Sequence, residues 1–285
     1  MNTVDFFGHK VTKLIIGDNP MSGHSYIEDK TTGAEMKSFY TAEKIKETLK
    51  HIEEVGFNAM LPLGDPYMTR LIKEFEADGG KLKYIWQPYM PMNQQVSMRQ
   101  MKEVNTIGIY HQGTTTDNLY EAGNIDAIKE NIKMWRELGT PVGLASHVPE
   151  VIERCEEEDW GADFYLACMY NARRGRRGEQ SGFITGKTKA HLHFYPGDPP
   201  IMLDVLKKIN KPIIAYKIFA GGQMFIGKTD EERRALIKGA YEEVFTALKP
   251  NDIAAIGVFQ RDTDEVKENV VLFNEWYEEH TAKAK

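Results

Sequence analysis

"GFNAMLPLGDPYMTRLIKEFEADGG", residues 56–80, holds a complete strand-to-helix unit. Its first eight residues, 56–63, are an apolar run of strand length. An Asp65–Pro66 pair follows, the side-chain cap and rigid first residue that open a helix. Leu71, Ile72 and Phe75 then recur at helical spacing, and glycine stands after the last turn. A short apolar strand followed by an amphipathic helix suits a parallel sheet covered by helices, whose strands are apolar on both faces.

The same unit recurs in both directions. Before it lie "VTKLIIGD" (11–18) and the helical "TAEKIKETLKHIEEV" from Thr41, with Ile45, Leu49 and Ile52 on one face. After it come "KLKYIWQPY" and "NQQVSMRQMKEV", then "NTIGIYH" (105–111) with a helix expected from about Asn124 to Leu138. "TPVGLASH" pairs with "VPEVIERCEEEDW", and "GADFYLACMYN" with "DPPIMLDVLKKIN". "KPIIAYKIF" pairs with "TDEERRALIKGAYEEVFTAL", and "NDIAAIGVFQ" with "DTDEVKENVVLFNEWYEEH". Eight strand–helix units in strict alternation, without a break in composition, predict one (β/α)8 TIM barrel over residues 1–285. A doubly wound open sheet needs a glycine fingerprint after an early strand, and the chain has none.

The composition narrows the function. A net charge of −6 with interspersed signs argues against a nucleic-acid surface, which requires clustered positive charge. Two cysteines, Cys155 and Cys168, sit at no metal-ligand spacing and fit a reducing compartment. With no signal-peptide pattern and no apolar run of spanning length, a cytoplasmic protein without membrane contact is expected. A small-molecule substrate is the expected partner, and a homo-oligomer is compatible with this composition.

Barrel enzymes build their chemistry where strands end and βα loops begin. Those positions hold Asp18 and Asn19, Asp65, Gln87, His111 and Gln112, His147, Cys168 and Asn171, Lys217, and Gln260 and Arg261. The opposite ends carry turn residues such as Gly56, Gly139, Pro141 and Pro212. Any one polar residue here could be a cap or a snorkelling side chain. Six strands ending in imidazole, carboxylate, amide or amine are better explained by a polar pocket.

The order of these segments resembles the aldo-keto reductase superfamily. "FFGHKVTKLIIGDNPMSG" looks like that family's bottom-capping hairpin leading into the first barrel strand. "GFNAMLPLGDPY", "IGIYHQG", "VGLASHVPEVIERC", "IAYKIFAGG" and "IGVFQRDTDEVKENV" resemble its second, fourth, fifth, seventh and eighth segments. The last two would hold the phosphates of NADP. The resemblance implies a barrel fold and carbonyl reduction by an Asp, a Tyr, a Lys and a His. Leu61 stands at the Asp position, Pro66 at the Tyr position with Tyr67 beside it, and Gln87 at the Lys position. His111 alone matches, so the usual proton donor with its lysine cannot be assembled from these positions.

Asp18, His111 and His147 at strand ends form a workable divalent-metal set. Without metal, His111 or His147 is a candidate general base, with Tyr67 as a further catalytic candidate. Lys217 could clamp a carboxylate or phosphate, or act as a Schiff-base amine; the clamp is preferred. Asn19, Gln87, Gln112, Asn171, Arg173, Gln260 and Arg261 are candidate substrate ligands. The basic stretch "RRGRRGEQSGFITGKTKAHLHFYPG" suits a mobile lid at about 172–197, or a solvated loop or subunit contact, with His191 and His193 undecided. The expected enzyme is a lyase, isomerase or epimerase acting on a small polar, sugar-derived or anionic substrate. An NADP-dependent oxidoreductase and a non-catalytic binding barrel are the alternatives.

Overall fold

The computed structural model describes residues 1–171 and 193–283. Arg173, His191 and most of the basic loop lie outside the described residues. The barrel strands are β3 (Leu14–Gly17), β4 (Ala59–Leu61) with β5 (Leu63–Gly64), β6 (Lys83–Pro88), β7 (Thr106–His111), β8 (Val142–Ser146), β9 (Phe164–Cys168), β10 (Ile213–Tyr216) and β11 (Ile253–Gly257). Pro62, which has no N–H for the ladder, divides β4 from β5. The order β4-β3-β11-β10-β9-β8-β7-β6-β5 closes on itself through β4–β6 pairing, and every pair is parallel. The chain folds as an eight-stranded TIM barrel.

Strands β1 (Thr3–Phe6) and β2 (His9–Thr12) form an antiparallel hairpin before the barrel. Its turn residues Phe7 and Gly8 both have positive φ, 49° and 83°, as a two-residue turn of the primed kind requires. Val4, Phe6 and Val11 join a cluster with Phe164 and Ile253, the first residues of β9 and β11. The Phe6 and Phe164 rings meet edge to face at 5.1 Å. The hairpin thus closes the N-terminal end of the barrel and leaves the opposite end to open.

The covering helices are α1 (Gly33–Phe39), α2 (Ala42–Glu54), α3 (Pro66–Ala77), α4 (Gln94–Met101), α5 (Gly113–Glu121), α6 (Ile125–Trp135), α7 (Pro149–Glu158), α8 (Asp198–Leu206), α9 (Asp230–Ala247) and α10 (Glu265–Lys283). Their starts follow local chemistry. Asp65 accepts from the Met68 N–H at 2.7 Å, and Thr229 with Glu232 forms a reciprocal capping box. Ile45, Leu49 and Ile52 of α2 are buried together, as their spacing predicts. Two helices were not foreseen: α1, in the polar stretch before Thr41 that read as a loop, and α5. α5 begins directly after β7, where the sequence pattern offered a loop running to Asn124.

Inside the barrel, Ile15, Ala59, Leu61, Ile85, Ala145, Leu166, Ile214 and Ala255 fill the interior. Gly143 has a steric reason to be glycine: a Cβ there would come within 2.4 Å of the Phe164 ring. Strand β7 carries an irregularity. Tyr84 pairs with Thr106 but Ile85 pairs with Gly108, so β7 holds one extra residue, Ile107, at this point. Beyond it, Tyr110 faces the interior while His111 turns outward.

Candidate active site

A cavity of about 710 Å³ opens at the C-terminal end of the barrel, the end left free by the hairpin. Its polar floor includes Asp18, Asn19, Gln87, Gln112, His147 and Lys217. The sequence placed all six at strand ends, and the fold brings them around one space.

The centre of this floor is a chain of hydrogen bonds running from α5 through His147 to Lys217. Ala145 faces the interior, and the period of two brings His147 to the same face just past the end of β8. Asp117, in the second turn of α5 and fully buried, meets it. The Asp117 carboxylate accepts from the Ser146 hydroxyl at 2.6 Å, from His147 Nδ1 at 2.8 Å and from the His147 backbone N–H at 3.3 Å. Several donors around a buried carboxylate offset the loss of its hydration. With Nδ1–H donating to Asp117, Nε2 keeps its lone pair and accepts from the Lys217 ammonium at 2.9 Å; the Tyr216 hydroxyl lies at 3.3 Å.

Lys217 reaches the cavity through an unusual backbone. Tyr216 faces the cavity at the end of β10, so regular extension would turn the next side chain away. Instead Lys217 takes a φ of 58°, in the left-handed region, and its side chain enters the site. Its Nζ lies 4.7 Å from the Tyr26 ring centroid, 5.5 Å from that of Tyr216 and 5.6 Å from that of Phe194. Burial works against the ammonium charge, but Tyr26, Cys168 and Asp117 outweigh it, and the net direction of its pKa is upward. Lys217 therefore acts as a cation at neutral pH.

Other lining groups have defined partners. Asp18 is buried and accepts from Leu63 N–H at 2.7 Å and the Ser22 hydroxyl at 2.9 Å. Burial, aided by Asp65, pushes its pKa up to about 6. Gln87 accepts from the Tyr110 hydroxyl at 3.2 Å, and Gln112 caps α5 by accepting from Thr115 N–H at 2.8 Å. Burial and the Lys37 charge hold His24, on the cavity wall, below the usual imidazole range.

The remaining expected residues are elsewhere. His111 is fully buried behind the barrel wall, between α5 and α6. The Thr116 hydroxyl donates to Gln112 O at 3.1 Å, so it accepts from His111 Nδ1 at 2.8 Å, while Asn131 Nδ2 donates to Nε2 at 3.1 Å. The Trp135 ring packs against the imidazole at 5.3 Å. A protonated ring would aim an N–H at the Asn131 amide hydrogens, and burial lowers the His111 pKa to about 4. This histidine is a neutral structural residue, correcting its assignment as base or metal ligand. Tyr67 is 49% exposed on α3 and does not line the cavity. The Asn171 backbone N–H donates to Asp198 beside a separate, smaller cavity. Gln260 holds the start of α10 through Asp264 and Val266, and Arg261 pairs with Asp262 and approaches Glu35. His193 is exposed, and its ring meets the Tyr195 ring edge to face at 4.7 Å.

The metal set fares likewise. Among the described residues no three His, Cys, Asp or Glu side chains converge as a metal site. Asp18 and His147 share the cavity, but His147 Nε2 faces an ammonium, a poor neighbour for a dication. The residues present do not fit a three-ligand centre of Asp18, His111 and His147.

No protein-family model matches the sequence, and no curated protein matches it. Solved structures do resemble the fold. An aldo-keto reductase from Bacillus halodurans, in its holo form, superimposes with a TM-score of 0.56 at 12% identity over 95% of this chain and 90% of that one. Dihydropteroate synthase from Xanthomonas albilineans gives 0.54 at 13% identity, covering 98% and 99%. A truncated 3-deoxy-D-arabino-heptulosonate 7-phosphate synthase from Thermotoga maritima gives 0.52 at 14%, covering 99% and 92%. At these identities the likeness establishes the barrel, and the aldo-keto reductase resemblance holds at the level of fold. In the described residues no helix is long and apolar enough to cross a membrane.

Proposed function

We propose that this barrel is an enzyme that moves a proton on a small polar substrate, in the manner of an isomerase, epimerase or lyase. His147 is its general base. The observation that carries the reading is the Asp117–His147–Lys217 chain, which opens into the cavity and fixes the imidazole in the tautomer with Nε2 unprotonated. Asp117 orients the ring and stabilises the imidazolium that forms when Nε2 takes a proton. Lys217 supplies a positive charge for an anionic or developing negative oxygen. An oxygen of the substrate that takes the ammonium also releases Nε2, so binding the right ligand uncovers the base.

Asn19, Gln87, Gln112 and Asp18 offer hydrogen bonds suited to hydroxyl groups, which favours a sugar-like substrate. The test is solvent exchange. Purified protein is incubated in D2O with a panel of small hydroxy-carbonyl compounds, and loss of carbon-bound proton signals is followed by NMR. Exchange that His147→Gln lowers by about 100-fold or more supports the reading. Exchange at an unchanged rate in that variant refutes it.

An NADP-dependent oxidoreductase is the second reading. It is favoured by the extension of the cavity past Gly221, Gly222 and Arg233 after β10, and past Thr263 and Asn269 after β11. A polar substrate of a few carbons leaves that arm empty. Fluorescence titration with NADPH separates the two: micromolar binding supports the oxidoreductase, and no binding with solvent exchange supports the first reading.

A further inference from the structure

We propose that the Tyr26 hydroxyl is the acid that works opposite His147, donating to a carbonyl oxygen of the substrate. The substrate is then an enolisable carbonyl compound, an aldehyde or ketone with hydrogen on the neighbouring carbon. The proposal rests on the reading of His147 as base and adds the other half of the reaction.

Three phenols line the cavity: Tyr26, Tyr110 and Tyr216. The Tyr110 hydroxyl donates to Gln87 Oε1 at 3.2 Å, and the Tyr216 hydroxyl lies 3.3 Å from His147 Nε2. The Tyr26 oxygen instead accepts, from Asn19 Nδ2 at 3.0 Å. Among the described residues no acceptor takes its O–H hydrogen. That hydrogen is available to a ligand.

The ring is also held in place. Gln223 Nε2 donates to the Tyr26 backbone oxygen at 2.9 Å. Gly221 lies against the side chain so closely that a Cβ there would stand 2.7 Å from Tyr26 Cβ. The loop after β3 and the loop after β10 are thus joined through this residue. Lys217 completes the geometry, because the Nζ that bonds His147 Nε2 at 2.9 Å is the one 4.7 Å from the Tyr26 ring centroid. Acid and base both adjoin one ammonium.

The step balances without a co-reactant. His147 Nε2 takes the proton from the carbon next to the carbonyl, and the C–H electron pair becomes a C=C bond. The carbonyl π pair moves to oxygen, which receives the Tyr26 proton. Lys217 and Asn19 stabilise the phenolate left behind. Return of the proton from His147 to the same carbon on its other face, while the enol hydroxyl restores the phenol and the carbonyl re-forms, gives the epimer. Where that carbon bears a hydroxyl, the intermediate is an enediol. Return of the proton to the former carbonyl carbon, with the second hydroxyl restoring the phenol, then gives the isomer.

Two measurements test this on the full chain, with Tyr26→Phe keeping the ring and removing only the hydroxyl. The first is the D2O exchange rate, expected to fall about 100-fold with little change in KM. The second needs no turnover: titration of 4-nitrophenolate, an oxyanion probe followed by its absorbance, with a Kd expected to rise about tenfold in Tyr26→Phe. Tyr67→Phe, on the outer surface, is the control expected to match the parent in both. If Tyr26→Phe exchanges and binds the probe like the parent while His147→Gln does not exchange, the Tyr26 assignment is overturned and the His147 reading stands. If the parent exchanges nothing, the His147 reading fails, and an unchanged probe Kd in Tyr26→Phe removes the Tyr26 assignment as well.

Discussion

Asp117→Asn is the sharpest perturbation of this site, because it removes one charge and almost no volume. Among the described residues, the carboxylate accepts from the Ser146 hydroxyl, His147 Nδ1 and the His147 backbone N–H. An amide offers one oxygen and one NH2, so at most one side of this arrangement is satisfied. If the oxygen stays on Ser146 and the backbone N–H, the NH2 faces Nδ1 and forces the proton to Nε2. The imidazole then points a donor at the Lys217 ammonium 2.9 Å away. Hydrogen bonds to charged groups contribute about 1.5–3 kcal/mol each, and one or two of them are lost or reversed here. Loss in stability should come to about 2–4 kcal/mol, readable as a lower denaturant midpoint at unchanged slope. The rate should suffer more, since a base in the wrong tautomer is no base, and a fall on the order of 1,000-fold in D2O exchange is expected. Nitrogen-15 NMR of His147 checks the cause, with the ring proton on Nδ1 in the parent and on Nε2 in the variant. Turnover within threefold of the parent, or an Nδ1–H retained in the variant, would refute the assignment of Asp117.

Two further outcomes follow from buried groups outside the catalytic chain. His111→Leu should lower stability at neutral pH by about 2–4 kcal/mol, because the Asn131 amide loses its acceptor and the Thr116 hydroxyl its donor, while the folded fraction keeps its exchange activity. The His111 pKa is about 4 when folded against 6.5 unfolded, so the unfolded chain binds more protons between these values. This histidine makes stability rise with pH over that interval, by about 3 kcal/mol at most. Asp18 and Glu265, raised to about 6 and about 7 mainly by burial, have the opposite sign and make stability fall as pH rises from about 4. Denaturant titrations from pH 4 to 6 should therefore give a more negative slope in His111→Leu than in the parent; equal slopes would contradict the buried neutral ring. Gly221→Ala should cost about 1–3 kcal/mol, because φ there is 57° and the new Cβ would stand 2.7 Å from Tyr26; a midpoint like the parent's would show that the two loops are not locked together.

The barrel was legible because its signal is repeated. Each apolar run with its capped helix is weak alone, but eight in alternation leave few arrangements for a parallel sheet. The hairpin came from resemblance, and its Phe7–Gly8 turn gives the physical reason for it. Helix α5 escaped because "GTTTDNLYE" has three threonines in its first turns and a weak apolar stripe. Missing that helix hid Asp117, which looks like a loop residue in the sequence. The available signal was Gln112, whose side chain can cap a helix starting at the very end of β7.

His111 and Lys217 fail the strand rule in opposite senses, and both failures have a backbone cause. Counting by two along β7 puts His111 on the face of Ile107, an interior residue. The extra residue at Ile107 shifts the phase once, so Tyr110 inherits the cavity and His111 the space between α5 and α6. Counting along β10 puts Lys217 opposite Tyr216, away from the cavity. There a single left-handed residue reverses the direction and delivers the ammonium to His147. A bulge and a positive φ leave no mark in residue type, since Ile107 is an ordinary strand residue and Lys217 is not glycine. The position of a polar residue at a strand end is written in the sequence, but which way it faces depends on the phase of the backbone beneath it. A left-handed φ on a side chain with a Cβ costs on the order of 1–3 kcal/mol and persists only where the surroundings hold it. At Lys217 the surroundings are His147, Tyr26 and Tyr216, the groups that give the site its chemistry. Replacing His147 should therefore loosen this backbone as well as remove the base, which ties the strain at Lys217 to the function of the cavity.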